Sequence, residues 1–256
     1  MRVTVIGSGT AAPHPQRVCA GYWVEAGDTR VLFDCGNGVV HRLASLGIPW
    51  AEVTHLALTH FHYDHVGDLP ALIAALRWGQ LPPRAQPLTI VGPVGTRAWL
   101  ERFAAVTGDW LLKPGTFEVS VVEMEATSDF AFRTSHFALS CFPTPHTPES
   151  IAYSILSGRA RLVYTADTGY DDAVADWAAG CDVLLTECSL PAALAIPEHL
   201  SPESAAAFAA RAHPGRLVLS HFFPPVERED ILAIVAARYA GPVVLAHDGT
   251  TFDIQE

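Results

Sequence analysis

Three histidines and an aspartate lie within six consecutive positions of the chain, at His60, His62, Asp64 and His65. Side chains alternate with a period of two along an extended chain, so His60 and His62 point to the same side, and the next two begin a turn. Imidazole and carboxylate ligands suit Zn²⁺ or a similar divalent transition ion, and no cysteine lies nearby to suggest a closed structural zinc site. The segment predicts a metal-binding loop that serves two ions; the alternative is a solvated, histidine-rich turn.

Further residues that could bind a metal follow four later predicted strands. They are His146 in FPTPHTPES, Asp167 in VYTADTGY, His221 in VLSHFFP and His247 in VLAHDG. Loops beyond strand ends are where layered α/β folds build their sites. A single histidine after a strand is more often a capping or hydrogen-bonding residue, but the repeated placement favours two metal shells completed together with the HFHYDH loop.

These motifs resemble those of the metallo-β-lactamase fold hydrolases, in the group that includes ribonuclease Z, arylsulfatase-like enzymes and small phosphodiesterases. The resemblance runs through the whole chain. Residues 60–65 match the HxHxDH signature, GSGTAAPHPQR before them matches the family's first loop, and TADTG, TECSL, HLSPESAAAFA and AHD match later segments. It implies two divalent metal ions, Zn²⁺ or alternatively Mn²⁺. It also implies the ligands: His60, His62 and His146 for metal one, Asp64, His65 and His247 for metal two, and Asp167 as the bridge.

The resemblance also implies roles outside the ligand set. His221, which precedes two phenylalanines, is expected to act as a proton donor or phosphate clamp, with a ligand role as the alternative. A hydroxide held between the two ions would attack the substrate, and Asp64 would orient it as a catalytic residue. Glu187 and His199 are candidates for hydrogen-bond partners of the ligands, although an ordinary strand-end charge explains Glu187 equally well.

Charge and spacing narrow the substrate class. The chain has 16 Lys and Arg against 27 Asp and Glu, a net charge of −11, whereas proteins that bind polyanions need basic patches. Long-form ribonuclease Z proteins carry an RNA-binding arm between the counterparts of His146 and Asp167, and here two predicted strands fill that interval. We therefore expect a phosphodiesterase acting on a small phosphodiester such as a cyclic nucleotide, with nucleic acid a less favoured partner. The alternatives are ribonuclease Z-like RNA processing, hydrolysis of a carboxylic ester or lactone, and metal or ligand binding without turnover.

Aromatic residues lie next to the predicted site in the sequence, at Phe61, Tyr63, Phe222 and Phe223. They could stack on a nucleobase or another flat group. For the phenylalanines a place in the core is the more common use.

The elements that must position these residues follow from the hydrophobic periodicity. The runs RVTVIGS, GYWVEAG and TRVLFDCG predict an N-terminal meander, and CDVLLTE, GRLVLSH and GPVVLAH predict later strands, each preceded by a helical segment. We expect FRTSHFALSCFPT to form one strand and DWLLKPGT a loop. The chain of 256 residues is 50% hydrophobic and shows no linker or repeat. This predicts one α/β domain over residues 1–256, a four-layer αββα sandwich of the metallo-β-lactamase type with two mixed β-sheets flanked by helices.

The sequence also bears on location and assembly. Five cysteines without a CxxC pair favour reduced thiols in a cytoplasmic protein, and MRVTVIGSGT is typical of a first strand rather than a secretory signal. The chain contains no run of about 18 apolar residues, so the sequence predicts no membrane span. The apolar face of DLPALIAALRWG fits either a core face or a homodimer contact.

Overall fold

The first β-sheet is built mostly by the N-terminal half of the chain. The computed structural model describes residues 1–126 and 131–255, and we number the strands β1 to β14 in chain order. This sheet contains β1 Arg2–Gly7, β2 Gly21–Ala26, β3 Thr29–Phe33, β4 His55–Ala57, β5 Leu88–Pro93, β6 Val119–Met124 and the last strand, β14 Thr251–Asp253. Their order is β14-β1-β2-β3-β4-β5-β6, antiparallel as far as β3 and parallel from β3 to β6.

The second sheet repeats this mixed arrangement with the later strands. It contains β7 Ala131–Arg133, β8 Ala138–Pro143, β9 Ile151–Ser157, β10 Ala160–Tyr164, β11 Val183–Glu187, β12 Arg216–Ser220 and β13 Val243–Leu245. The strands lie in the order β13-β12-β11-β10-β9-β8-β7, antiparallel between β7 and β10 and parallel between β10 and β13. Each sheet thus has a parallel half whose strands end at a common edge.

Helices cover the outer face of each sheet. They are α1 Val39–Ser45, α2 Tyr63–Val66, α3 Leu69–Trp78, α4 Thr96–Thr107, α5 Asp172–Trp177, α6 Pro202–Ala212 and α7 Ile231–Ala236, with 3₁₀ turns at Trp50–Glu52, Asp109–Leu111, Ala192–Leu194 and Val226–Arg228. One hydrophobic cluster lies between the sheets, a second under α1, α3 and α4, and a third under α5, α6 and α7. The expected αββα sandwich of two mixed sheets is confirmed.

Both faces of each sheet are apolar. Successive side chains of a strand point to opposite faces, so one strand contributes to two hydrophobic clusters. On β3, Val31 and Phe33 belong to the cluster between the sheets, whereas Leu32 belongs to the cluster beneath the helices. Phe33 meets Tyr164 of the opposite sheet at a ring-centroid distance of 6.0 Å. Strands with two covered faces have nearly continuous apolar sequences, which is why the pattern predicted buried strands here.

Two local expectations differ from the structure. The segment FRTSHFALSCFPT forms the hairpin of β7 and β8 rather than one strand, because the Thr134 amide donates to the Phe137 carbonyl at 2.9 Å and closes a turn. The predicted loop at residues 109–116 begins with a 3₁₀ turn, at Asp109–Leu111.

The apolar face of α3 is used for packing within the chain. Leu69, Leu72, Ile73 and Leu76 are fully buried in the cluster under α1, α3 and α4. The core therefore accounts for this pattern without a homodimer contact. In the described part of the chain, no helix combines the length and the apolarity that a bilayer span requires.

A buried arginine joins the segment before β5 to the 3₁₀ turn before β4. Arg84 is only 4% exposed, and its guanidinium donates to four backbone carbonyls at distances of 2.6 to 2.9 Å: those of Ala51, Val53, Gln86 and Pro87. A methionine at this position would fill similar space but leave buried carbonyls without a donor.

We therefore expect Arg84→Met to lower the free energy of unfolding by about 2 to 4 kcal/mol. Arg159→Met, at an exposed position in the turn between β9 and β10, is the matched control, with an expected change within about 0.5 kcal/mol. Urea denaturation of the three proteins measures both changes, and equal stability of Arg84→Met and the parent chain would contradict this role.

Candidate metal centre

The parallel strands of both sheets deliver polar residues to one place. Asp34 follows β3, His60 follows β4, Asp167 follows β10, and His221 follows β12 directly. The helix α2, which begins at Tyr63 and has His62 as its N-cap residue, carries Asp64 and His65 back to the same edge. The expectation that strand ends assemble the site therefore agrees with the backbone.

Two sets of possible ligands meet there. The first set is His60, His62, His146 and Asp167, and the second is Asp64, His65 and His221. A third group overlaps both and joins Asp167 and His221 with His199. Within each group, one ligand atom per residue lies within 4.8 Å of all the others. His146 Nε2 lies 3.0 Å from His62 Nδ1. Six of the seven ligands expected from the sequence thus fall in these sets.

Asp167 belongs to the first set and also faces two residues of the second. Its Oδ2 is 3.6 Å from His146 Nε2 and 3.9 Å from His60 Nε2, while its Oδ1 is 3.2 Å from His65 Nε2 and 3.4 Å from His221 Nε2. The side chain is only 3% exposed, so water contributes little to its solvation. One oxygen for each set is the arrangement that a bridging carboxylate requires.

Three potential metal-ligand atoms in the centre have no hydrogen-bond partner within the described part of the protein. His60 Nε2, His65 Nε2 and Asp167 Oδ1 are buried without a hydrogen-bond partner. A buried polar atom without a partner costs about 1 to 3 kcal/mol, so such atoms are rare unless something else satisfies them. Imidazole nitrogens and a carboxylate oxygen are a donor set for a divalent transition ion.

The pKa shifts of Asp167 and His60 have the direction that metal binding requires. Burial raises the pKa of Asp167, but the imidazoles of His221 and His65 outweigh it and hold this pKa well below its usual range. Burial lowers the pKa of His60 well below its ordinary value, and the neighbouring His65 adds to this effect. An ionised carboxylate and a neutral imidazole are the forms that bind a metal.

His65 lies between two carboxylates, those of Asp34 and Asp167. Burial lowers its pKa, but Asp167 and Asp34 outweigh burial and raise the pKa well above the ordinary value. The site therefore favours positive charge at this point, which a bound cation would also supply.

Asp34 orients the ring of His65 through Nδ1, the nitrogen that does not face Asp167. The Asp34 Oδ2 atom lies 2.8 Å from His65 Nδ1 and accepts a hydrogen bond from the Tyr164 hydroxyl at 2.8 Å. The Thr59 amide donates to Oδ1 at 2.9 Å. Such a contact leaves the other ring nitrogen free for a metal, as carboxylate partners of ligating histidines do. The sequence analysis missed Asp34, although the FDC segment at the end of a predicted strand was the available signal.

His221 occupies the place in the second set that was expected for His247. Its Nε2 lies 3.4 Å from Asp64 Oδ2, and the Ser189 hydroxyl is 3.0 Å from its Nδ1. The backbone of His221 has a φ of 56°, which turns the chain sharply at the end of β12. The geometry therefore agrees with the ligand role that the sequence left as the alternative.

The structure does not bring His247 to the centre. Its side chain is exposed, and its Nδ1 lies 3.2 Å from Arg17 Nη2. The following residue, Asp248, turns inward instead and accepts hydrogen bonds from the amides of Ser8 and Val18 at 3.0 and 2.8 Å. The turn after β13 thus serves to hold the first loop, which we define as residues 8–20.

Glu187 and His199 form a pair at the rim. Glu187 is buried at the end of β11, and its two carboxylate oxygens lie 3.0 and 3.1 Å from His199 Nδ1. Burial lowers the pKa of His199, but the hydrogen bond and charge of Glu187 outweigh it and raise the pKa to about 9. The His199 ring lies 4.9 Å from that of His146 and 6.0 Å from that of His221, measured between centroids. An imidazolium therefore faces both donor sets.

The aromatic residues near the site have different environments. Phe61 stacks on Trp99 with a centroid distance of 5.3 Å, and Phe222 is 3% exposed. Tyr63, in contrast, is 67% exposed. Of these three rings, that of Tyr63 is the most exposed.

Comparisons with known proteins identify the family of the chain. The family model of the Beta-lactamase superfamily domain matches residues 29–222. A ribonuclease Z of Mycobacterium bovis (strain BCG / Pasteur 1173P2) is 30% identical over an alignment that covers 97% of this chain and 96% of the relative.

Solved structures show the same likeness over nearly the whole chain. The metallo-beta-lactamase fold protein YhfI from Bacillus subtilis has a TM-score of 0.85 at 25% identity, covering 98% of both chains. The short form of human tRNase Z has a TM-score of 0.81 at 25% identity, covering 100% of both chains. The chain therefore belongs to the beta-lactamase superfamily, as a hydrolase with the metallo-β-lactamase fold.

Proposed function

We propose that this chain is a dinuclear phosphodiesterase that hydrolyses a small phosphodiester, such as a cyclic nucleotide. The observation that carries the proposal is the position of Asp167, which presents one carboxylate oxygen to each of two donor sets. Two adjacent cations suit an in-line displacement at phosphorus, because charge develops on both the attacking and the leaving oxygen.

The donor chemistry assigns the residues that would hold the ions. His60, His62 and His146 would bind one ion, Asp64, His65 and His221 the other, and Asp167 both. Zn²⁺ suits this nitrogen-rich set best, and Mn²⁺ is the alternative. When bound, the two ions would lower the pKa of water and neutralise charge on the phosphoryl oxygens.

The residues of the chain would orient the attack and release the product. Asp64 accepts hydrogen bonds only, because its neighbours His221 and His65 outweigh burial and hold its pKa below the usual range. Its carboxylate therefore orients a water molecule for attack. His199 is held in the protonated form by Glu187, and it stands beside both donor sets. We assign it, rather than His221, as the proton donor to the leaving alkoxide.

The segment between His146 and Asp167 favours a small substrate over RNA. Strands β9 and β10 fill the interval between His146 and Asp167, so no RNA-binding arm projects there. The net charge of −11 opposes a long polyanion as well. RNA processing is the second candidate function, favoured by the 30% identity with a ribonuclease Z.

A substrate panel tests the proposal directly. We expect protein purified without chelator to hold two equivalents of metal, and to hydrolyse bis(p-nitrophenyl) phosphate and 3′,5′-cyclic AMP with a higher kcat/KM than precursor tRNA. Asp64→Ala would lower both small-substrate activities at least about 100-fold, because loss of even a ligand's partner costs 10- to 100-fold. Metal analysis and steady-state kinetics are the measurements. Turnover confined to precursor tRNA would favour the second candidate, and turnover confined to aryl esters or lactones would refute both.

The role of His199 predicts a dependence on the leaving group. His199→Ala should lower kcat on cyclic AMP by about 10²- to 10⁴-fold, because an alkoxide leaves poorly without a proton. On bis(p-nitrophenyl) phosphate the loss should stay within about 10-fold, since a nitrophenolate leaves unprotonated. Metal content is measured in parallel, and His41→Ala, at an exposed position on α1, is the control. Equal losses on the two substrates would contradict proton donation.

The support of His65 by Asp34 predicts a change in metal affinity. Asp34→Asn should weaken metal binding by about 10- to 100-fold, measured by competition with a chromophoric chelator. The exposed Asp28→Asn, in the turn between β2 and β3, serves as the control. Thermal unfolding of the metal-free proteins separates lost affinity from lost folding; unchanged affinity in a folded variant would refute the role.

A further inference from the structure

A cavity of about 450 Å³ opens beside Asp64, between the first loop and helix α2. Its walls include Ala11, Ala12, Pro13 and Val18 of the loop and Tyr63 of the helix. The volume falls within the range of sites for small molecules. Because Asp64 itself lines the cavity, a molecule bound there would lie against the metal centre.

The wall of this cavity is formed by closely packed backbone, so the cavity exists before any ligand binds. Gly36 sits so near helix α2 that a Cβ atom would come within 1.9 Å of the Asp64 carbonyl oxygen. Gly38 has a φ of 89°, and a Cβ there would lie 2.7 Å from the Val18 side chain. The Cys19 amide donates to the Asn37 carbonyl at 3.1 Å and so ties the first loop to this segment. The cavity is therefore part of the folded chain rather than a gap between mobile loops.

The basic side chains that line the cavity, Arg17 and His14, already contact the carboxylate of Glu227. Arg17 Nε lies 2.5 Å from Glu227 Oε1, and Arg17 Nη1 donates to Ser8 Oγ and the Ala246 carbonyl, both at 2.6 Å. His14 Nε2 lies 3.2 Å from the other carboxylate oxygen of Glu227. An additional phosphate would find no free cation among these residues. Tyr63, 67% exposed, offers an aromatic surface instead.

We propose that this cavity binds the uncharged aromatic group next to the scissile phosphodiester, such as a nucleobase, with Tyr63 as the stacking surface. The inference rests on the proposed function for the nature of the scissile bond. Binding of the aromatic group depends only on the cavity and does not require turnover. A flat ring stacks on tyrosine whatever its pattern of hydrogen-bond donors, so the subsite selects for aromatic character rather than for one base.

Cys19 provides a test that needs no catalysis. It lines the cavity and is partly exposed, whereas Cys35, Cys141, Cys181 and Cys188 are buried. In protein purified without chelator, we expect adenosine, which has no phosphodiester to cleave, to slow iodoacetamide alkylation of Cys19 several-fold and ribose to leave the rate unchanged. Peptide mass spectrometry measures the rate. Tyr63→Ala should abolish the protection, while Trp78→Ala, which removes an exposed aromatic ring at the end of α3, should keep it. Absence of protection by millimolar adenosine, or full protection in Tyr63→Ala, would overturn the proposal.

Two substrates with one leaving group test the same subsite in turnover. Bis(p-nitrophenyl) phosphate and methyl p-nitrophenyl phosphate both release nitrophenolate but differ in the group that is retained. Tyr63→Ala should lower kcat/KM about 5- to 100-fold for the diaryl ester and leave that for the methyl ester within about twofold. Ala12→Trp, which fills the cavity, should have the same selective effect, and equal losses on both esters in both variants would overturn the subsite. If neither ester is cleaved while adenosine protects Cys19, the proposed function fails and the aromatic subsite stands.

Discussion

The carboxyl group of Asp34 joins the two sheets and the metal centre at one buried point. It is fully buried after β3, and it receives hydrogen bonds from Thr59, which follows β4, and from Tyr164, the last residue of β10 in the opposite sheet. Its remaining contact is with His65. Each of these groups would cost about 1 to 3 kcal/mol if buried without a partner. The packing of the sheets and the orientation of a ligand are thus one constraint, since neither can shift without leaving polar atoms unpaired.

Backbone strain concentrates at the same edge. Asp34, Ala166 and His221 have φ values of 56°, 55° and 56°, and each is the residue after or near the end of a central parallel strand. Non-glycine residues in this region cost about 1 to 2 kcal/mol each, so the surrounding contacts must hold them there. A left-handed residue turns the chain sharply at the end of a strand. The residues at two of these turns, Asp167 and His221, meet with Oδ1 and Nε2 3.4 Å apart.

Features of the site that depend on local sequence could be predicted, whereas features that depend on contacts between distant segments could not. The loop His60–His65 was predictable because its geometry depends on local alternation and one turn, and Asp167 was predictable as a carboxylate that follows a buried strand. The choice between His221 and His247 was not, because both follow parallel strands with similar sequences. What separates them is a positive φ at one and the inward turn of Asp248 after the other. Likewise, the sequence indicated Glu187 and His199 as hydrogen-bond partners of the ligands, but not that they pair with each other, because the segment between them has no periodic pattern from which their contact could be predicted.

Electrostatics connects the acidic composition to the kind of substrate that the site can accept. Asp34, Asp64, Asp167 and Glu187 converge on one region of a chain whose net charge is −11, and the basic groups of the adjoining cavity are paired with Glu227. An anion approaching such a site is repelled except where bound cations offset the carboxylates. Attraction is therefore confined to the space between the two donor sets. Next to that space lie the apolar walls of the cavity and the exposed Tyr63. Under the proposed function, a monoanionic diester with an uncharged flanking group would therefore match the site electrostatically better than a chain of phosphates.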